Sequence, residues 1–166
     1  MAGNLPNKPR FIVIHFSQST DRGGYSAELI DKDHKRFGFY PCILPSRKRF
    51  HIGYHYYINR KGWVTSLRPE NVIGQHCEGY NQRSIGVCIE GKKEVLTKDN
   101  LDNIVSLVIT LMGKYNISVD NVKGHNELQP LKTRKDGSTY PNPCPNFIMD
   151  HLRDLISKLT KGEVEK

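Results

Sequence analysis

The chain has 166 residues, 37% hydrophobic and 25% charged, with a formal net charge of +8. These proportions exclude a disordered polymer, and no apolar run approaches the roughly 20 residues needed to cross a bilayer. The length suits one domain with its own core, and the positive charge suits a polyanionic partner (nucleic acid, anionic lipid or bacterial wall) without choosing among them.

The opening "MAGNLPNKPR" is polar. The expected organisation is an N-terminal extension over 1–10, a single domain over 11–160 and a tail over 161–166. The apolar run Phe11–Ile14 is too short for a signal-peptide core, so the chain is expected to be cytoplasmic when synthesised. That run reads instead as a buried strand, and it stops at His15. Residues 27–36 read as a helix capped by Ser26, with Leu29, Ile30 and Phe37 on one face and Gly38 as the stop. Residues 40–51 carry two prolines and a basic run and read as a loop. Residues 53–59 and 63–67 bracket "RKG" as a hairpin. Residues 84–90, "SIGVCIE", read as a second apolar strand. Thr97 can cap a long helix whose Leu101, Ile104, Val105, Val108, Leu111, Met112 and Tyr115 recur at three- and four-residue steps. "NVKGH" reads as a short strand ending on His125, residues 126–145 as a loop, and a last helix is expected from about Asn146. Its stripe is Phe147, Ile148, His151, Leu152, Leu155, Ile156 and Leu159. Strands alternating with helices, plus a hairpin, predict an α/β (α+β) fold: a central mixed sheet of about five strands flanked by about three helices.

Four cysteines occur, Cys42, Cys77, Cys88 and Cys144, with no CxxC pair. Disulfides are not expected. Cys88 sits in an apolar strand and reads as a small core residue. Cys144 stands between Pro143 and Pro145 in a polar loop and does not. Two imidazoles at strand ends, His15 and His125, and one thiol are donors that zinc favours, and three protein ligands leave a fourth position open, the arrangement of a catalytic site. Each histidine taken alone is better explained by a structural role, and it is the thiol that tips the reading toward a metal.

Read together, the blocks "FIVIHFSQST", "HIGYHYYINRKGWV", "IGQHCEGYNQRSIGVCIEG", "VKGHNEL" and "PNPCPNF" resemble the zinc-dependent N-acetylmuramoyl-L-alanine amidases, the family of phage amidase-type lysozymes and peptidoglycan-recognition proteins. The resemblance runs from about residue 11 to 158 and keeps the order of elements. It implies hydrolysis, by metal-activated water, of the amide joining the lactyl group of N-acetylmuramic acid to L-alanine in peptidoglycan. It implies one zinc ion on His15, His125 and Cys144, and it implies that Tyr54 faces the metal as a hydrogen-bond or proton donor. It implies that His76, with Tyr80 and Asn81, lines the substrate groove. A released lysin or an enzyme of wall fragments in the cytoplasm would both fit, as a monomer.

The chain departs from the family's phage members at Asn142, where they often carry a lysine two residues before the third ligand. Asparagine can donate a hydrogen bond to an oxyanion but brings no charge, so Asn142 is the expected donor by position. The longer segment "LKTRKDGSTYPN" holds Lys132, Arg134 and Lys135, one of which could reach back over the metal; a solvated loop explains them better. "SRKRFH" at 46–51 fits either wall carboxylates or a plain basic surface. His55 alternates with Tyr54, faces the other way and reads as structural. Glu127 fits either support of His125 or a solvent charge. The alternative function is a non-catalytic muropeptide-binding module. A nucleic-acid partner is not expected, because the basic residues are scattered rather than clustered with exposed aromatics, and no membrane insertion is expected.

Overall fold

Alternation along the strands organises the molecule. A computed structural model describes residues 6–19, 26–43, 49–91, 97–145 and 149–162. Strand β1 (Phe11–Phe16) lies inside a five-stranded sheet with β4 (Tyr56–Ile58), β5 (Val64–Ser66), β6 (Ser84–Ile89) and β7 (Val122–Gly124), in the order β5-β4-β6-β1-β7. β1 runs parallel to β6 and β7, β4 runs parallel to β6, and only β5 is antiparallel, paired to β4. The sheet is mixed, as the sequence predicts.

The register places Ile12, Ile14 and Phe16 opposite Ile85, Val87 and Ile89. Side chains alternate across a sheet, so these six share one face. They pack with Ile104, Val108 and Leu111 of helix α2 (Lys98–Tyr115) and with Met149, Leu152 and Ile156 of helix α4 (Met149–Lys161). Thr97 caps α2 by accepting from Asn100 N at 3.2 Å. On the other face, Ile30 of helix α1 (Ala27–Arg36) packs with Tyr57, Cys88, Ile52 and Val72. Ser26 caps α1, accepting from Leu29 N, and Gly38 at φ 81 follows its end. The α1 stripe is narrower than the pattern predicts, because Leu29 and Phe37 are exposed and only Ile30 and His34 are buried.

Other elements also differ from expectation. Residues 40–51 are not all loop: β2 (Cys42–Ile43) and β3 (Arg49–Phe50) pair antiparallel, while most of the basic run lies outside the described residues. The 126–145 stretch holds a one-turn helix α3 (His125–Leu128) and a hairpin of β8 (Leu131–Thr133) and β9 (Thr139–Pro141). In α4, His151 and Leu159 are exposed, and Phe147 and Ile148 lie outside the described residues. No helix among the described residues is long and apolar enough to cross a membrane.

Candidate metal centre

Ile14 of β1 pairs with Gly124 of β7, so His15 and His125 leave neighbouring parallel strands at the same level. Their ring centroids lie 4.5 Å apart. Gly124 favours close approach here: a Cβ on it would crowd the packing, standing 3.0 Å from Pro145 Cδ and 3.1 Å from Met149 Cγ. Without that side chain, the loop carrying Cys144 comes down beside both imidazoles. Cys144 Sγ lies 3.9 Å from His15 Nδ1, and one donor atom from each of His15, His125 and Cys144 lies within 4.8 Å of the others.

Each of the three is held from behind. His15 Nε2 bonds His76 Nδ1 at 3.0 Å. His125 Nε2 bonds Gln129 Oε1 at 2.6 Å; the amide oxygen can only accept, so the proton sits on Nε2 and Nδ1 keeps its lone pair. Cys144 Sγ accepts from Phe16 N at 3.3 Å. Burial lowers the pKa of His15 well below the ordinary value, with His76, His125 and the Lys132 ammonium adding to it. Burial lowers His125 as well, opposed by the Gln129 bond. Both rings are therefore neutral, the form that ligates metal. Burial pushes the Cys144 thiol up, against the Phe16 hydrogen bond and Lys132, which act to lower it.

The three residues line a cleft of about 220 Å³. Tyr54 forms part of its wall, with its ring centroid 5.2 Å from His15. Lys132, from β8, lines the same cleft. His34 and Phe37 of the α1 end complete the wall, and Phe37 is 64% exposed. Gly53 N donates to His34 Nδ1 at 3.0 Å, which leaves its Nε2 as the donor. Burial brings the His34 pKa down to about 4, so this ring is neutral too.

A sequence model of the family described as N-acetylmuramoyl-L-alanine amidase matches residues 5–143. The chain belongs to that family. The amidase is 31% identical over 143 residues to the endolysin of Escherichia phage T7, covering 82% of this chain and 80% of that one. It is also similar to two solved structures from Clostridium intestinale URNW, each 28% identical. The endolysin amidase LysCS has a TM-score of 0.72 and covers 94% of this chain and 90% of its own. The amidase LysC has a TM-score of 0.70 and covers 91% and 87%.

The structure brings His15, His125, Cys144 and Tyr54 of this amidase together but separates the other expected site residues from the cleft. Asn142 is 4% exposed and both ends of its amide are engaged: Oδ1 accepts from Cys144 N at 3.1 Å and Nδ2 donates to Gln129 O at 2.9 Å. It braces the Cys144 loop and is not among the residues that line the cleft. His76 is 9% exposed and bonds the far side of His15, and it is not among the residues lining the cleft. Tyr80 packs edge-on against Phe11 at 5.3 Å between centroids. Phe11 lies four residues from His15 along β1, about 13 Å at strand rise. Asn81 Oδ1 accepts from His76 N and Cys77 N at 2.8 and 2.9 Å. His55, facing away from Tyr54, accepts from Gly86 N at 3.0 Å and meets Val72 O at 2.9 Å. Glu127 accepts from Gly124 N at 2.6 Å and pairs with Arg153 of α4 at 3.0 Å, bracing the start of α3.

Two cleft residues were not legible as such. Lys132 belongs to a segment better read from sequence as a solvated loop, and His34 gives no signal beyond its place in a helix. For His34, its spacing of four residues from the buried Ile30 was the one available hint.

Proposed function

We propose that this amidase hydrolyses, with zinc, the amide between the lactyl group of N-acetylmuramic acid and L-alanine in peptidoglycan. The observation that carries the reading is the His15, His125 and Cys144 triad at the floor of an open cleft. Two neutral imidazoles and one sulfur suit zinc, and among the described residues lining the cleft there is no carboxylate to favour a harder ion. Donors spread over 4.8 Å need only a small contraction to reach the roughly 3.5 Å separations of a tetrahedral site. When bound, zinc supplies an acidified water and polarises the scissile carbonyl.

The chain's own groups supply the rest. Lys132 puts a positive charge on the cleft wall, where the carbonyl oxygen gains negative charge, a charge that Asn142 cannot supply. Its charge already acts on His15, His125 and Cys144. His34, with Nδ1 occupied by Gly53 N, offers its Nε2–H to substrate as a hydrogen-bond donor; a neutral ring with a pKa of about 4 is a poor acid and a poor base near pH 7. Tyr54, whose ring stands 5.2 Å from that of His15 on the cleft wall, brings a phenol that can orient the nucleophilic water or pass a proton toward the leaving amine.

Digestion of purified peptidoglycan tests this. New alanine amino termini that vanish on chelation and return with zinc, without new reducing ends, are expected. Reducing ends, or amino termini that persist in chelator, would refute it.

A further inference from the structure

The "GQHCEGYNQRSIG" segment is not spent on the cleft, yet its groups are tightly engaged. His15 points Nδ1 toward Cys144 and Nε2 toward His76 Nδ1 at 3.0 Å. His76 Nε2 meets Ser84 Oγ at 3.3 Å, and Ser84 Oγ donates to Tyr80 O at 2.8 Å. The last link fixes the direction of the whole chain. A carbonyl can only accept, so the Ser84 proton is committed to Tyr80 O, and its oxygen is left to accept from His76 Nε2–H. His76 then has a bare Nδ1, which must accept, and the donor to it is His15 Nε2–H. His15 is left with its lone pair on Nδ1, the nitrogen facing Cys144.

Two further features hold this relay in place. A Cβ on Gly74 would stand 2.5 Å from His76 Cδ2, and one on Gly86 would stand 2.6 Å from its Cδ2 and Cγ. Both glycines therefore make the slot that the ring occupies. From the loop side, Asn81 Oδ1 binds the backbone N–H groups of His76 and Cys77. Space, backbone and hydrogen bonds all define one position for one imidazole.

We infer that His76, backed by Ser84 and slotted between Gly74 and Gly86, is a positioning residue that sets the tautomer and aim of His15 for metal. This rests on the metal reading above and deepens it. His76 does not touch substrate; it acts through His15. Partners of this kind on a metal-ligating imidazole are commonly worth about 10- to 100-fold in metal affinity.

The test is zinc affinity of the full chain, measured by competition with a chromophoric chelator, for the wild type, His76→Asn and His76→Leu. Asn keeps an acceptor oxygen where Nδ1 was; Leu fills the slot without one. H76N is expected to stay within a few-fold of the wild type and H76L to lose about 10- to 100-fold. Equal affinity of H76L and the wild type would overturn the inference. So would equal loss in both variants, the result for a residue that only fills space. Nitrogen-15 NMR of the unsubstituted protein decides the matter even if a variant fails to fold: His76 protonated on Nε2 supports the relay, and His76 protonated on Nδ1 refutes it. Because zinc binding is read without substrate, a chain that binds zinc by this pattern but cuts no peptidoglycan would sink the proposed function and leave the inference standing.

Discussion

The two faces of the central sheet are built from the same strands and have opposite characters. Facing α2 and α4, Ile12, Ile14, Phe16, Ile85, Val87 and Ile89 form an unbroken apolar layer. On the other face the intervening positions are Val13, His15, Ser84, Gly86 and Cys88, overlaid by His55 and His76, all buried. The first face is held by burial of apolar area, which is tolerant of direction. The second adds to the apolar packing of Ile30, Tyr57, Cys88, Ile52 and Val72 a set of hydrogen bonds that must each be made, since an unpaired buried donor costs about 1–3 kcal/mol. Arg68 shows this: 2% exposed, it donates to the carbonyls of Ile52, Ile73 and Tyr40 at 2.9, 2.7 and 3.2 Å. Period-two alternation thus lets adjacent residues of one strand serve stability and chemistry separately.

Substitutions can break that division. The largest effect is expected from His15→Ala, His125→Ala or Cys144→Ala, each abolishing zinc binding and peptidoglycan cleavage; a variant keeping full activity would remove that residue from the metal site. Ile89→Ala, on the apolar face, should cost about 2–5 kcal/mol in urea unfolding while leaving the zinc affinity of the folded protein intact. A loss of affinity matching the loss of stability would show that the faces are not separable. Lys132→Ala should lower kcat about 10²-fold, in the range for removing one group that stabilises developing negative charge, with an unchanged urea midpoint. Unchanged kcat would return Lys132 to the solvated loop.

The smallest effect concerns pH. Burial lowers the His55 pKa from 6.5 to about 4, opposed by its bond to Val72 O. Below about 6.5 the unfolded chain binds this proton and the folded chain does not, so stability is complete above that pH. It falls by about 1.4 kcal/mol per pH unit as pH drops toward 4. Urea unfolding at several pH values should show a shallower slope in His55→Asn than in the wild type. Identical slopes would mean that His55 titrates normally in the fold.

Much of this was readable in the chain alone. The apolar run of β1, the Ser26 and Thr97 caps, the alternation in β6 and the three- and four-residue steps of α2 are local patterns, and local patterns follow from local physics. The candidate metal cluster of His15, His125 and Cys144 was legible as a set because its chemistry narrows the choice: two histidines at strand ends and a thiol between prolines. The β8–β9 hairpin was not, because Leu131–Thr133 and Thr139–Pro141 are short, mostly exposed strands without an apolar alternation.

What the tertiary structure alone decided is which polar groups meet. His76 and Lys132 look alike in the sequence, each a basic residue in a polar stretch. One is carried behind His15 into a slot left by two glycines, and the other is carried by a hairpin to the cleft wall. Likewise Asn142 stands two residues before Cys144, where an oxyanion donor is expected by position, but its bonds to Cys144 N and Gln129 O tie it into the loop, off the cleft lining. Residue type and spacing determine which groups can bond, and the packing of distant segments determines which partner is within 3 Å.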